Sequence, residues 1–359
     1  MRIGVDAREL CGQPTGVGRY LRALVDQWRS DEQATRHRFI FYAPGDVGFA
    51  VGPGWDLRII RGAAGVWWEQ ARLPAAARRD SLDVFFAPAY TAPLMLGVPL
   101  AVTIHDLSFV AHPEWFRRRE GMRRRMLTRA AARRARAVLT VSEFSRREIV
   151  DRFRVPEARV HVIPHGAAAR PVQQPGTSEP MVLFVGSIFN RRRVPDLIRA
   201  FARLSRKRRD VTLEIVGDNR SHPHQDLARI IDEEGLGGRA RWRAYVSDAE
   251  LHGLYARARA FAFLSEYEGF GLTPLEALSA GVPSVLLDTA VARETCGDAA
   301  LYVPANDVPA VAAALDRVLF DPDVRARLLA SAPAVLARYS WPRAARETLR
   351  VLEGAAQEK

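Results

Sequence analysis

The strongest constraint on the fold is an alternation of apolar strand-like segments with helix-like segments, which runs through the chain twice. Such alternation predicts parallel sheets covered by helices on both faces, a doubly wound α/β architecture. In the first series the predicted strands are 2–6, 38–43, 56–61, 82–87, 99–104, 137–142 and 160–164, and the predicted helices are 17–29, 67–79, 117–135 and 143–151. In the second series the predicted strands are 181–186, 211–217, 240–246, 260–264, 283–287 and 300–303, and the predicted helices are 194–207, 223–234, 247–257, 274–280, 308–319 and 322–338.

The two series are separated by Ala167 to Pro180, whose Pro, Gln, Gly, Thr and Ser residues predict a linker. The chain of 359 residues is long enough for two domains with cores of their own. Its apolar content of 48% and charged content of 26% are typical of a globular protein. We therefore predict domains at 1–170 and 171–340, followed by a segment at 341–359 that contains a final helix.

The compartment is predicted from the cysteines and from the absence of long apolar runs. Cys11 and Cys296 fall in different halves and predict no disulfide framework. The chain starts directly in a predicted strand, and no apolar run reaches the length needed to span a bilayer. We expect a cytoplasmic protein.

A pair of carboxylates, Glu268 and Glu276, brackets the sequence EGFGLTPLE, which lies two residues after the apolar predicted strand AFAFLS. The proline between them suits the first turn of a helix that carries Glu276. The free amides at a helix start attract anions, whereas carboxylates accept hydrogen bonds from hydroxyls. A ligand with both phosphate and hydroxyl groups, such as a sugar nucleotide, fits this combination.

Two further motifs follow predicted strands of the first half. Gly16 and Gly18, in GQPTGVGRY, lie where a loop enters a helix, so the backbone can approach a ligand closely. His105 and Asp106 follow a run of strand-forming residues. Because the carboxyl ends of parallel strands form the ligand-binding edge of open α/β sheets, these residues are candidates for a site.

A basic cluster opens the second half, where FVGSIFNRRR leads from a predicted strand through Gly186 into a helix. Arg191, Arg192 and Arg193 add cations to a turn that already favours phosphate. This arrangement predicts a site for a phosphorylated ligand.

Together these motifs resemble those of the retaining glycosyltransferases of family 4, which have the GT-B fold. The segment EGFGLTPLE with the trailing AGVPSV resembles their paired-glutamate signature, and FVGSIFNRRR resembles their diphosphate motif. The resemblance runs from Met1 to about Leu352. It implies two Rossmann-like domains that face a central cleft, with the acceptor on the N-terminal domain and the donor on the C-terminal one. It also implies a terminal helix that crosses back to the first domain.

The resemblance further implies a role for each matched residue. Glu268 would orient hydroxyls of the donor sugar, and Glu276 would bind the ribose. His105 would position the reacting sugar, while Arg191 and Arg192 would stabilise the leaving diphosphate. The remaining binding residues would be Gly16, Gly18, Gly186, Arg193, Gly217, Val246, Gly269, Phe270, Gly271, Leu272 and Thr273.

The basic cluster departs from the family pattern, because three consecutive arginines replace Arg-Lys followed by Asn or Gly. Arginine offers a planar fork where lysine offers a point charge. Which of Arg191, Arg192 and Arg193 reaches the diphosphate therefore stays open.

The predicted function is transfer of a hexose, with retention, from a nucleotide sugar to a glycan or lipid-linked acceptor in bacterial surface polysaccharide synthesis. GDP-mannose or another NDP-hexose would be the donor. The sequence has no evident Asp-x-Asp metal motif, so we expect protein cations to replace a metal, and we expect no cofactor. Two alternatives remain open: a sugar-nucleotide epimerase on this architecture, and a non-catalytic protein that binds a membrane or nucleic acid.

The net charge of +12 is concentrated in Arg117 to Arg136, which holds ten arginines and one acid, Glu120. Met122 and Met126 recur there at helical spacing. This pattern predicts an interfacial helix on an anionic membrane, and hence a peripheral location on the inner face of the cell membrane. The alternative is a solvated helix. We expect no nucleic-acid partner, because no recognition-helix or zinc-finger pattern is present.

Overall fold

The computed structural model contains two units, each built around its own parallel sheet. The structure describes residues 1–12, 16–49, 51–52, 54–167 and 178–357. The first unit comprises Met1–Gly166 and Tyr339–Lys359, and the second comprises Ala167–Arg338. Most of the predicted linker lies outside the described residues.

The first unit has a seven-stranded sheet in the order β3-β2-β1-β4-β5-β6-β7, with every neighbouring pair parallel. Its strands are β1 (Arg2–Asp6), β2 (Arg38–Ala43), β3 (Trp55–Ile59), β4 (Val84–Ala87), β5 (Leu100–Thr103), β6 (Ala137–Thr140) and β7 (Val160–Val162). Its helices up to this point of the chain are α1 (Gly16–Trp28), a π-helix (Trp68–Arg72) that continues into α2 (Leu73–Ala77), α3 (Ser108–Ala111), α4 (Arg118–Arg134) and α5 (Glu143–Phe153).

The first sheet separates two apolar cores. Phe86 of β4 packs into the core that α1 covers, whereas its neighbour Phe85 packs into the core on the opposite face. Because successive side chains of a strand point to opposite faces, a strand between two cores must be apolar along its whole length. This explains the uninterrupted apolar runs of the central strands.

The second unit has a six-stranded parallel sheet in the order β10-β9-β8-β11-β12-β13. Its strands are β8 (Met181–Val185), β9 (Thr212–Val216), β10 (Ala240–Arg243), β11 (Ala260–Phe263), β12 (Ser284–Leu287) and β13 (Ala300–Val303). Its helices are α6 (Val194–Lys207), α7 (Leu227–Glu233), α8 (Asp248–Arg257), α9 (Leu272–Ser279), α10 (Ala290–Cys296), α11 (Val308–Phe320), α12 (Pro322–Ala330) and α13 (Ala332–Leu336). The loops after β8, β9 and β11 leave adjacent strands at the same edge of this sheet.

The last helix, α14 (Trp341–Gln357), belongs to the first unit. It packs against α1, where the indole Nε1 of Trp28 donates to the carbonyl of Ala345 at 3.0 Å. Leu349 and Leu352 of α14 are fully buried in the same core as Trp28. The apolar face of α14 therefore completes a core that also contains Ile3, near the start of the chain.

All thirteen predicted strands are present in the structure, and the predicted doubly wound α/β architecture is confirmed. Three helix predictions need correction. The helix α3, at Ser108–Ala111, was not predicted. The helix α10 was not predicted, and the single helix predicted over 322–338 is interrupted, giving α12 and α13. Across the described ranges, none of the helices is both long enough and apolar enough to cross a bilayer.

Candidate functional site

The central feature of the second unit is a carboxylate held by two arginines. Oε1 of Glu268, in the loop after β11, accepts hydrogen bonds from Nε of Arg192 at 3.0 Å and from Oγ of Ser265 at 2.8 Å. Nε of Arg191 lies 3.8 Å from the same oxygen. Burial by itself raises the pKa of Glu268, but the two guanidinium groups and the hydrogen bonds hold this pKa below its usual value. Glu268 is therefore an ionised, fixed acceptor.

The two arginines are themselves oriented by aromatic rings and carbonyls. The guanidinium of Arg191 lies 4.5 Å from the ring centroid of Phe189, and its Nε donates to the carbonyl of Tyr267 at 3.1 Å. The guanidinium of Arg192 lies 4.9 Å from the ring of Phe263, and Nη1 donates to the carbonyl of Ser187 at 2.7 Å. Such contacts fix guanidinium planes before a ligand arrives.

The helix α9 begins where the sequence predicted a phosphate-attracting helix start. Gly271 caps it with φ of 94°, a left-handed conformation that glycine adopts without steric cost. Phe270 is buried beside it, and Glu276, one turn into the helix, is buried as well. The hydroxyl of Tyr255 lies 3.5 Å from Oε2 of Glu276. The sequence did not single out Tyr255, because this residue lies 21 positions before Glu276 on the preceding helix α8.

Gly217 lies at the end of β9, against the glycine turn after β8. A Cβ atom at this position would lie 2.0 Å from the carbonyl oxygen of Gly186, so only glycine fits. The carbonyl of Gly217 accepts a hydrogen bond from Nε1 of Trp242 at 3.0 Å, and Val246 is buried before α8. Gly217 and Val246, two of the predicted binding residues, therefore follow the neighbouring strands β9 and β10.

Arg193 has a different environment from its two neighbours. Nε donates to Asp196 Oδ2 at 2.7 Å, Nη1 donates to Glu266, and Nη2 donates to Asn306 Oδ1 at 2.5 Å. Its backbone has φ of 50°, in the left-handed region. Three protein acceptors thus surround a side chain that the sequence predicted to bind the donor.

In the first unit, His105 lies buried after β5. Its Nε2 donates to the carbonyl of Pro88 at 2.8 Å, which leaves Nδ1 as the acceptor of the neutral ring. Burial lowers the pKa of His105, although Asp106 opposes the shift. The ring is flanked by Tyr20 and His165, with centroid distances of 4.9 and 5.5 Å. His105 is therefore a neutral side chain packed against aromatic rings.

Gly16 and Gly18, the glycines predicted to approach a ligand, lie at the start of α1. Gly16 is the first residue of this helix and is exposed, and Gly18 is buried in its first turn. The three residues before Gly16 fall outside the described part of the chain. The site residues thus divide between the units, with Gly16, Gly18 and His105 in the first and the arginines and glutamates in the second.

A buried charged cluster in the first unit was not predicted. The guanidinium of Arg8 contacts both Asp6 at the end of β1 and Glu69 on the π-helix, and Thr91 donates to Glu69 at 2.5 Å. Burial raises the pKa of Asp6, while Arg8 opposes this effect. Arg8 and Glu69 are 61 residues apart, so no local pattern in the sequence could have revealed their contact.

The basic helix α4 presents most of its surface to solvent. Its buried residues are small or short, namely Gly121, Thr128, Ala131 and Ala132. Met122 and Met126 are 64% and 66% exposed, so neither belongs to a core. The first half of α4 therefore exposes apolar side chains among arginines.

Two family models match this chain, and together they cover most of it. Glycosyltransferase Family 4 matches residues 14–169, and Glycosyl transferases group 1 matches residues 167–334. The boundary between the two matches falls at the boundary between the two units.

Proteins with similar sequences are named as glycosyltransferases. The O-antigen chain mannosyltransferase B of Escherichia coli is 31% identical over 291 residues, which cover 77% of this chain and 76% of that protein. The alpha-D-kanosaminyltransferase of Streptomyces kanamyceticus is 30% identical over 269 residues, which cover 70% of this chain and 69% of that protein.

Solved structures with the same fold span the whole chain. Sucrose-phosphate synthase from Thermosynechococcus elongatus has a TM-score of 0.77 at 20% identity, covering 99% of this chain and 98% of that one. HepE of Anabaena, solved with UDP and glucose, has a TM-score of 0.77 at 19% identity, covering 99% of this chain and 100% of that one. At these identities the likeness concerns the fold, which is GT-B.

Proposed function

This chain belongs to the family 4 glycosyltransferases, and from that premise we propose that it transfers a hexose from a nucleotide sugar to a glycan or lipid-linked acceptor. The observation that carries the proposal is the ionised Glu268, fixed by Arg192 and Ser265 beside a second arginine. A carboxylate that accepts hydroxyls next to cations that hold phosphate suits a sugar diphosphate. Family membership does not favour the epimerase or the non-catalytic alternative.

The donor diphosphate is assigned to Arg191 and Arg192. Because both guanidinium groups are already oriented, they can stabilise the charge that develops as the bond from the anomeric carbon to phosphate breaks. We propose that these cations act in place of a metal, so the reaction needs neither a metal nor another cofactor. The amides from Gly269 to Thr273, around the start of α9, would add further donors.

The remaining proposed contacts with the donor involve residues at the same edge of the second sheet. Glu268 would accept hydrogen bonds from sugar hydroxyls, and Glu276 would accept them from the ribose. Main-chain groups at Gly217 and Val246 would contact the base. We propose GDP-mannose as the first donor to test, since the Escherichia coli relative is named a mannosyltransferase.

The reaction is proposed to retain the anomeric configuration. The acceptor hydroxyl would attack the anomeric carbon on the face from which the diphosphate leaves, and the leaving phosphate oxygen would take the hydroxyl proton. Glu268 would serve as an orienting acceptor, because Arg192 and Ser265 already engage its carboxylate. In the first unit, Gly16 and Gly18 would contact the acceptor side, and the neutral His105 would position the reacting sugar.

The acceptor is proposed to reside at an anionic membrane surface. The arginines of α4, with the exposed Met122 and Met126, suit the interface of a bilayer that contains anionic lipids. A lipid-linked glycan on the cytoplasmic face of the cell membrane would present its hydroxyl there, as in bacterial surface polysaccharide synthesis.

The proposal is tested first by donor binding. The protein is mixed with GDP-mannose, UDP-glucose and other sugar nucleotides, and the melting temperature is measured, because a bound ligand stabilises the native state. The donor with the largest shift is then incubated with lipid-linked glycans, and the anomeric configuration of the product is read by NMR. An α-linked product from an α-linked donor supports retention. Conversion of the donor without any acceptor would instead indicate an epimerase.

A further inference from the structure

Arg193 occupies a backbone conformation that disfavours a long side chain. It caps the start of α6 with φ of 50° and ψ of 37°, in the left-handed region that glycine and asparagine adopt most readily. A side chain retained in this conformation must be stabilised by its surroundings. The guanidinium of Arg193 provides such contacts.

The three acceptors of Arg193 lie on three separate segments. Asp196 is on α6 itself, Glu266 is in the loop after β11, and Asn306 is in the loop after β13. All three nitrogen positions of the guanidinium are used, and the side chain is only 19% exposed. Charge-assisted hydrogen bonds of this kind are short and directional. Arg193 therefore joins three loops at the carboxyl edge of the second sheet.

Two of these loops, the one after β8 and the one after β11, are also joined through backbone groups. The amide of Glu266 donates to the carbonyl of Arg191 at 2.9 Å, and Nε of Arg191 donates to the carbonyl of Tyr267 at 3.1 Å. Glu268 follows two residues after Glu266. The contact from Arg193 to Glu266 thus closes a set of bonds between the loop that carries the cations and the loop that carries the carboxylate.

We infer that Arg193 is a positioning residue that fixes the Glu268 loop relative to Arg191 and Arg192, and that it does not bind the donor phosphates. The inference rests on the proposed function of those three residues. It distinguishes the third arginine of the cluster from the first two, because its guanidinium is committed to protein acceptors.

The experiment uses three variants: Arg193→Gly, Glu266→Gln and the double variant that carries both substitutions. Each is compared with Asp196→Asn. Glycine suits the left-handed backbone, so Arg193→Gly should fold. Asp196→Asn is the matched control, because it removes a partner within α6 and leaves the contact between the loops. Amide hydrogen exchange over residues 264–272 should become faster in Arg193→Gly and Glu266→Gln and stay unchanged in Asp196→Asn.

Kinetics with the donor that wild-type protein uses supply the second readout. Misplacement of a reacting group by about 1 Å can lower turnover about 100-fold, so we expect kcat to fall by about 10- to 100-fold in Arg193→Gly and Glu266→Gln. Affinity for the donor should change by less than about threefold. The double variant should be no slower than either single variant, because both substitutions break the same contact.

Two results would overturn the inference. Unchanged exchange over 264–272 in Arg193→Gly would show that the loop does not depend on this side chain. A loss of donor affinity at constant kcat would show that Arg193 binds the donor directly. If wild-type protein transfers no sugar from any donor in the panel, the proposed function fails, while hydrogen exchange still decides the role of Arg193.

Discussion

Nε of Arg192 lies 3.0 Å from Oε1 of Glu268, and this pair joins the loops after two neighbouring strands of the second sheet. The carboxylate stays ionised because nearby guanidinium charge outweighs its burial. A charge that is already oriented needs no rearrangement when a substrate arrives. It therefore stabilises a transition state more than water molecules would, because those would first have to reorient.

The two glutamates should differ in their kinetic effects. Glu268→Gln should lower kcat on the order of 100-fold, because its proposed partner is the reacting sugar. Glu276→Gln should weaken donor binding about tenfold at a nearly unchanged kcat, because it removes a charge-assisted hydrogen bond to the ribose. Steady-state kinetics and calorimetry measure both effects. Glu233→Gln, an exposed carboxylate on α7, is the control, and wild-type values for both site variants would refute the assignment.

The arginines should make activity independent of added metal. Transfer should continue in excess EDTA, and replacing Arg191 and Arg192 by alanine should abolish it while circular dichroism shows an intact fold. Arg199→Ala removes a half-exposed arginine from α6 and should have little effect. Activity that disappears on chelation and returns with magnesium or manganese would contradict this prediction.

The basic helix α4 should confer salt-sensitive binding to anionic vesicles. Each basic side chain near such a surface contributes about 1 kcal/mol, so neutralising Arg123, Arg124 and Arg125 should weaken vesicle binding strongly without changing donor affinity. Neutralising Arg206, Lys207 and Arg209, which are exposed on and after α6, changes the net charge equally and should weaken binding less. Vesicle sedimentation measures the difference. Equal binding to anionic and neutral vesicles would identify α4 as a solvated helix.

Two buried histidines should make stability depend on pH. Burial lowers the pKa of both His105 and His165 below the ordinary value of 6.5. Below that pH the unfolded chain takes up protons that the folded chain does not, so stability is full above about 6.5 and is lost as the pH falls.

The expected loss is about 1 kcal/mol of unfolding free energy per pH unit for each histidine. Urea unfolding at pH 7.5 and pH 5.5 measures it. His165→Phe should remove one part of the pH dependence, whereas His252→Gln on the surface of α8 should not. If His165→Phe leaves the pH dependence of the unfolding free energy unchanged, His165 is not a source of that dependence.

The fold could be predicted because the central strands of both sheets, such as β4, β5, β8 and β11, are apolar and buried along nearly their whole length. The helices α3 and α10 were missed because their four and seven residues are too few to display a helical period. The helix predicted over 322–338 is interrupted near Pro333, which lies in the first turn of α13, the position where proline is tolerated. These errors concern short segments and leave the order of the strands unchanged.

The candidate site could be predicted only where its residues lie in local motifs. Glu268 and Arg191 lie next to glycine turns at strand ends, and that pattern is visible in the sequence. The contacts from Arg193 to Glu266 and from Arg8 to Glu69 join residues 73 and 61 positions apart. Such contacts depend on the order of the strands in each sheet. The sequence predicts a doubly wound α/β fold but does not give that order.

The return of α14 to the first unit has a consequence for synthesis on the ribosome. The first core needs Leu349 and Leu352, yet the second unit is translated before them. At about 5–20 residues per second, roughly 10–35 s separate the end of β7 from the arrival of α14. The second unit is synthesised in that interval. We therefore expect the segment made last to be the one that closes the domain made first.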